Sequence, residues 1–413
     1  MLFTRAPRSC GAIRIVGHDG RAEQQTGINL SMKGHAMKKV YIGIDSHKSS
    51  NSVAVANAGG KEGSLFYGKI SGSSPNMERI LRRIMKQHDV SKEDVLIGYE
   101  AGPCGFVLAR RLLQLGFDVI VAAPSLMPQK PGVKVKTDRR DACKIAELLR
   151  DGQLTAVHIP DEKDEAIRDL CRARTDAVDD LRRTRQRLGA FLLRNGHVYT
   201  GRSNWTESHM RYLRELVMPD PSQKVALEEY IISINAAAER TQRLEQYMER
   251  LQQDWSRTPF VKALQSFRGF QMVSSMVVTS ELGDLARFVH PRKLMGFLGM
   301  VPAESSSGSR RRQGSITKCG NSHARWMLVE VAHHYRNPPK VSKELSVRQE
   351  GLSREIRALS WRAQNRLHQK YIRLKCRHLH ENKVVVAVAR ELVGFIWELS
   401  MLMKQQDSVA LKA

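Results

Sequence analysis

The chain has 413 residues, 41% of them hydrophobic, which is enough to fill the cores of two or three domains and excludes wholesale disorder. Its 67 Lys and Arg against 42 Asp and Glu leave a formal charge of +25, a self-repulsion that calls for a polyanionic partner. Nucleic acid meets that need through phosphate contacts; a membrane is disfavoured by the lack of a long apolar run or lipidation signal, and six singly scattered cysteines argue against zinc or disulfides and for a reducing cytoplasm.

Residues 1–36 are basic, Gly-rich and without periodicity, and Met37 stands just before the first strand-like run; they read as a disordered basic arm or a mis-assigned start. From residue 39 strands and helices alternate. β-rich runs at 39–44, 52–56 and 64–67, with the Gly59-Gly60 turn signal before the third, predict an antiparallel meander. A helix over 76–88, a strand over 95–99, a helix over 105–115, a strand over 119–122 and a helix over 138–150 follow. The order predicts one α/β domain over 39–158, a mixed sheet with helices on its faces.

Over 161–258 the pattern changes to long amphipathic helices. Ile167, Leu170, Ala177, Leu181 and Leu188 recur at helical spacing, and Ile234, Ala237, Thr241, Leu244 and Met248 do so again. Asn195-Gly196, Pro219 and Pro221 break the two stretches apart. Both a coiled-coil dimerisation arm and ordinary helical packing fit this pattern. Residues 259–335 are mixed and rich in Gly and Ser, and 340–403 are mostly helical. Between Lys340 and Arg377 eleven Lys and Arg face three Glu, a one-signed excess that predicts phosphate contact. Trp361, Tyr371 and Trp397 fall in these helical runs as expected core residues.

Four acids stand out. Asp45 ends the first strand, Glu100 ends the 95–99 strand, and Asp138 and Asp141 open a helix. If the two strands are parallel neighbours their carboxyl ends lie together, where open α/β sheets place ligands. The i, i+3 spacing puts Asp138 and Asp141 on one helix face. Four such acids at one point would repel unless a divalent cation bound there, and Mg²⁺, a hard ion, prefers carboxylate oxygen. Singly, each acid could also be a turn, cap or helix-dipole residue. His47, two residues past Asp45, could assist protonation, but reads more readily as an exposed loop residue.

The second constellation lies in 294–330. An apolar helix end gives way at Val301-Pro302 to a small-residue loop, Ser305-Ser306-Ser307-Gly308, then to Arg310-Arg311-Arg312 and a glycine-punctuated turn opening a helix near Asn321. Loop amides can approach phosphate closely, and Arg can balance a pentavalent transition state. A serine hydroxyl needs a base or metal to act as nucleophile; by itself the serine run also reads as a flexible linker.

Gly43-Ile44-Asp45, Tyr99-Glu100-Ala101 and Lys136-Thr137-Asp138-Arg139-Arg140-Asp141-Ala142 resemble the signature of the DEDD transposases of the insertion-sequence 110 family, which includes Piv-type DNA invertases and bridge-RNA-guided recombinases. The likeness covers nearly all of 39–403. It implies an RNase H-like, RuvC-like catalytic domain over 39–158 with Asp45, Glu100, Asp138 and Asp141 holding Mg²⁺, as two ions. It also implies a helical coiled-coil arm over 161–258 and a mostly helical C-terminal transposase domain over 259–403. In that domain the family's Ser-Ser-Gly pattern assigns the nucleophile to Ser307, with Ser306 beside it; by their charge near that loop Arg310, Arg311 and Arg312 are expected nucleic-acid contacts, as are Lys318 and Arg325, for which a solvated role fits equally well. The partners implied are DNA, a structured non-coding RNA and further copies of the chain, as a dimer or tetramer that completes the active site between protomers. Two departures stand: the family's Gly-x-Gly hairpin is replaced by Phe267-Arg268-Gly269-Phe270-Gln271, which argues against a phosphate grip at 264–284, and residues 1–36 have no counterpart. A carboxylate-only nuclease and a DNA-architectural protein are the alternatives.

Overall fold

The structure is a computed structural model that describes residues 38–59, 63–72, 74–128, 137–305 and 312–410. Residues 1–36, and with them the question of an arm or mis-assigned start, lie outside the described residues.

The N-terminal region is built on a five-stranded sheet in the order β3-β2-β1-β4-β5. Strands β1 (Val40–Ser46), β2 (Ser50–Asn57) and β3 (Leu65–Ser71) form the expected antiparallel meander, while β4 (Val95–Glu100) and β5 (Asp118–Ala122) add in parallel on the other side of β1. Alternation sorts the side chains. Ile42, Ile44, Val53, Val55, Val95 and Ile97 face helices α1 (Ser74–His88) and α2 (Val107–Gln114), whose Leu81, Ile84 and Leu112 complete one core. Tyr41, Ala54, Ala56, Leu96 and Ile120 face α3 (Asp138–Arg150), which supplies Ala142, Ile145, Ala146 and Leu149. Small residues dominate that second face, so α3 lies very close to the sheet.

After β5 the chain runs back along it, with Val157 N–H donating to Val121 O at 2.7 Å. It then enters α4 (Glu162–Arg194), of 33 residues, capped by the Asp161 carboxylate. The short α5 (Glu207–Glu215), absent from the sequence reading, fills the far end, and α6 (Pro221–Leu251) returns. Cross-links at Asp164–Trp255 (2.8 Å), Arg174–Glu245 (2.9 Å), Asp180–Arg240 (3.0 Å) and Asn195–Gln223 (2.7 Å) fix α4 and α6 as an antiparallel hairpin. Asp164 is fully buried at its base and also accepts from Arg257 Nε at 2.7 Å, which neutralises the charge.

The remaining chain packs into one large core. Helices α7 (Thr258–Gln265) and α8 (Met272–Leu282) flank the Phe267–Gln271 turn, so a helix–turn–helix forms there with the single glycine. The turn's Arg268 donates to Asn337 O. Next come α9 (Pro291–Phe297), a two-stranded ribbon of β6 (Pro302–Glu304) and β7 (Gln313–Ile316), and α10 (Ser322–Ala332). The ribbon is a second element the sequence reading missed, because strands of three and four residues are too short to show alternation. Helices α11 (Lys343–Arg348), α12 (Arg354–Lys375) and α13 (Glu381–Ala410) close the fold.

Two expectations for this last region change. Arg362, Arg366, Lys370 and Lys375 of α12 pair with Glu398, Glu391 and Glu381 of α13, so much of the one-signed excess is met by acids that lie beyond the counted window. Tyr371 is buried and Trp397 donates its indole N–H to Phe288 O at 2.8 Å, but Trp361 is 46% exposed and is not a core residue.

Candidate active site

Two close approaches bring Asp45 to the start of α3 and set Glu100 at the neighbouring strand end. β1 and β4 are parallel neighbours with Ile44 beside Tyr99, so Asp45 and Glu100 leave the sheet at adjacent carboxyl ends. Both lie on the α3 face, in step with Gly43 and Gly98. A methyl group on Gly43 would lie 2.3 Å from Ala146 N and 2.4 Å from Ala142 O. Only glycine permits α3 to sit this deep, and that depth carries the helix start to the strand ends.

Thr137 caps α3, its Oγ1 accepting from Arg140 N–H at 3.3 Å, and this cap sets Asp138 and Asp141 in the first turn. His47 joins them from the β1–β2 turn. Its Nε2 stands 3.1 Å from Asp45 Oδ2 and 3.6 Å from Asp138 Oδ1. Asp45, His47 and Asp138 each offer one ligand atom, all three within 4.8 Å of one another. Glu100 does not join that trio, though it ends the neighbouring strand. Asp141 is close enough to act on Asp45 through its charge.

Electrostatics agree with this crowding. Burial pushes the Asp45 carboxyl above its ordinary value; the His47 imidazole opposes that shift, while Asp141 and Asp138 add to it. Asp138 moves the other way, held low by the hydrogen bond and charge of Lys69, whose Nζ lies 2.8 Å from Asp138 Oδ2. Lys69, Ser52 and Asp45 stand opposite one another across β3, β2 and β1 and therefore share the α3 face. Ser52 is 1% exposed, and its hydroxyl has no hydrogen-bond partner among the described residues. His47, Lys69 and Ser52 carry no motif of their own. The cross-strand register is the signal that identifies the last two.

The serine region is organised differently. Ser306, Ser307, Arg310 and Arg311 lie outside the described residues. The residues on either side are paired, Ser305 N–H donating to Arg312 O at 2.9 Å at the open end of the β6–β7 ribbon. Below the ribbon Gly320, at φ +78, packs so tightly that a Cβ would lie 1.9 Å from Phe297 O. Asn321 caps α10 through Ala324 N–H at 2.9 Å and donates to Glu281 Oε2 at 2.7 Å. Glu281 is buried in α8 and receives both Arg172 Nε (2.8 Å) and an Arg172 terminal nitrogen (3.0 Å) from the helical hairpin. Arg325 donates to Leu298 O at 2.8 Å and to Cys319 O at 3.2 Å, and Lys318 is exposed.

Two regions of the chain match known families. Residues 42–195 match an IS110 DEDD family described as transposase, and residues 261–345 match the family described as transposase IS116/IS110/IS902. A Sinorhizobium fredii protein named as a transposase, y4qE, is 40% identical over 387 residues, covering 93% of this chain and 95% of that protein. The transposase for insertion sequence element IS1533 of Leptospira borgpetersenii is 28% identical, with 82% of this chain and 97% of that protein covered. The transposase for IS1111A of Coxiella burnetii is 25% identical, covering 70% and 73%.

Proposed function

The chain belongs to the IS110 family of transposases, and from that premise we propose that it cuts and rejoins the DNA of a mobile insertion sequence through a phosphoserine intermediate. The observation that carries the catalytic half is the meeting of Asp45 with the start of α3, beside a buried hydroxyl that has no partner among the described residues. The sheet order, with β2 alone running against its neighbours, supports the RNase H-like, RuvC-like reading of the fold.

The donor set fits a divalent cation. Asp45, Asp138 and Asp141, joined by Glu100 from the next strand end, offer carboxylate oxygens that suit Mg²⁺, and four acids leave room for two ions. Bound there, the metal would supply Lewis-acid stabilisation of the phosphorane and lower the pKa of a coordinated hydroxyl. Lys69 holds Asp138 ionised and oriented. The Ser307 Oγ attacks a DNA phosphorus and loses its proton, the P–O bond to one deoxyribose breaks, and that sugar leaves as a hydroxyl. A DNA hydroxyl then attacks the phosphoserine, restoring the serine and joining the new strand through a Holliday-junction-like intermediate. Arg310, Arg311, Arg312, Lys318 and Arg325 are the proposed phosphate contacts around the ribbon.

Asp45 and Ser307 are 262 positions apart (307 − 45) with the helical hairpin between them. We read that hairpin, about 50 Å long at 1.5 Å per residue over 33 residues, as a coiled-coil arm that pairs protomers into a dimer or tetramer and completes the site in trans. The charge of +25 fits a structured guide RNA beside the DNA. Among the described residues no helix is long and apolar enough to cross a membrane; the place of action proposed is the cytoplasm, at the nucleoid.

The test is to incubate the protein with element-end DNA and Mg²⁺, trap the covalent adduct and map the modified residue. An adduct on Ser307 that is lost in Ser307→Ala and in Asp45→Asn supports the proposal. Cleavage that survives Ser307→Ala, without any adduct, points instead to a nuclease that uses the carboxylates alone.

A further inference from the structure

We propose that the His47 imidazole is itself a ligand of the cation held by Asp45 and Asp138, which makes this a mixed nitrogen–oxygen site that prefers Mn²⁺ to Mg²⁺. The inference rests on the metal-dependent reading above and adds to it a ligand that the four-carboxylate pattern lacks.

The geometry comes first. Cis ligands of an octahedral ion bound at roughly 2.1 Å lie about 3 Å apart. The His47 Nε2 edges to Asp45 Oδ2 and Asp138 Oδ1 are 3.1 and 3.6 Å, close to that spacing, and the ligand atoms of all three residues lie within 4.8 Å of one another, so one ion can take an atom from each. Asp138 is free to present that oxygen because its other one, Oδ2, is taken by Lys69. The turn that carries His47 is fixed as well. His47 N–H donates to Ser50 O and Gly72 N–H donates to Ser49 O, each at 2.9 Å, which ties the loop to both β2 and the end of β3.

An imidazolium bridging two carboxylates would explain the same distances, but not Ser52. Its hydroxyl is buried in the cross-sheet row between Asp45 and Lys69 with no partner among the described residues, and burying a hydroxyl unpaired costs its full desolvation. A water in the coordination shell of an ion on Asp45 would give that hydroxyl its missing partner. Ser52 is thus a second, independent sign that something polar sits on this face.

Donor chemistry then sets the preference. Mg²⁺ favours oxygen ligands and gains little from imidazole, whereas Mn²⁺, which also suits carboxylate and water, stands at the foot of the first-row transition series and is the softer of the two, so an added nitrogen ligand favours it over Mg²⁺. His47 should therefore matter for Mn²⁺ and hardly at all for Mg²⁺.

The test uses the full-length protein without DNA. Mn²⁺ is titrated by electron paramagnetic resonance, Mg²⁺ by competition, and electron spin-echo modulation reads ¹⁴N in the coordination shell. The wild type is expected to show coordinated nitrogen; His47→Ala should lose it, with Mn²⁺ affinity falling about tenfold and Mg²⁺ affinity nearly unchanged. His47 is exposed at a turn, so unchanged thermal unfolding of the variant is the expected control. Mn²⁺ that binds the wild type without ¹⁴N coupling, and is lost in Asp45→Asn, overturns the role of His47 and leaves the carboxylate site standing. Mn²⁺ binding that is absent, or indifferent to Asp45→Asn, overturns both.

Discussion

The carboxylate cluster and the serine-bearing ribbon are held by opposite means. Asp45 and Glu100 end strands in the middle of a five-stranded sheet, and Asp138 opens a capped helix packed on that sheet. Regular hydrogen bonding fixes each backbone, and the fit of α3 over Gly43 fixes their separation. Among the described residues the β6–β7 ribbon pairs with no third strand. Its base is extended by two backbone bonds, Thr317 N–H to Val301 O (2.9 Å) and Lys318 N–H to Gly299 O (3.0 Å), and just beyond it the Arg172–Glu281–Asn321 chain links the helical hairpin, α8 and the start of α10. A metal site must keep several ligands within tenths of an ångström, which rigid elements do well. The proposed nucleophile, which on our reading has to reach both DNA and a partner protomer's acids, gains from a mount that other elements can steer.

The largest effect is expected where the first region is tightest. Gly43→Ala places a methyl against backbone atoms of α3 that no rotamer change can move. It should destabilise the protein by about 3 kcal/mol. Because relief requires α3 to lift, it should also weaken divalent-metal binding in protein that remains folded. Equilibrium denaturation and metal titration read the two effects separately. Unchanged stability would mean that the sheet and α3 do not hold the acids rigidly, and the contrast between the regions would collapse.

Glu281→Ala probes the second region. The change strips Arg172 and Asn321 of their shared partner. Arg172 is 43% exposed and can be rehydrated, so the cost should be about 2 kcal/mol, below that of a fully buried pair. The consequence is spatial rather than local: hydrogen exchange should rise at β7 and the start of α10 while the sheet amides stay protected. Equal loosening of both regions would show that they fold as one unit and that the tether is not specific to the ribbon.

What the sequence revealed follows the same division. Strand ends and helix starts announce themselves through alternation, β-branched runs and a Thr cap, so the acids could be placed from residues alone. The depth of α3 was hidden, since nothing in a run such as Ile42-Gly43-Ile44 says which neighbour needs the missing side chain. Ser52 and Lys69 became visible only through register, because they come from other strands, and the approach of His47 to Asp138 only through the depth of α3. The acids of α13 that neutralise α12 lie beyond any local count of charge. The ribbon and α5 are too short for periodicity to declare them.

The smallest effect concerns the seam between the two regions, where the chain leaving β5 passes the end of α8. His158 lies beside Gly283 there, and burial, with the Arg287 and Arg257 charges, lowers its pKa from an ordinary 6.5; Asp284 and Asp164 pull weakly the other way. With the folded pKa below the unfolded one, the unfolded chain binds the proton first as pH falls. Stability is therefore lost through the window that starts near 6.5 and runs down to the lowered value, and it rises with pH across that window. His209 and His334 are lowered by burial as well and contribute with the same sign. His158→Asn should flatten part of the slope by about 0.5 kcal/mol, a modest figure because His158 is exposed and solvent screens the shift. Denaturant midpoints measured between about pH 5 and pH 7 read it directly. If the seam is a fixed joint the slope will drop in the variant. An identical slope would mean that His158 is free to take its proton in the folded protein, so that the sheet and the helical body meet there only loosely.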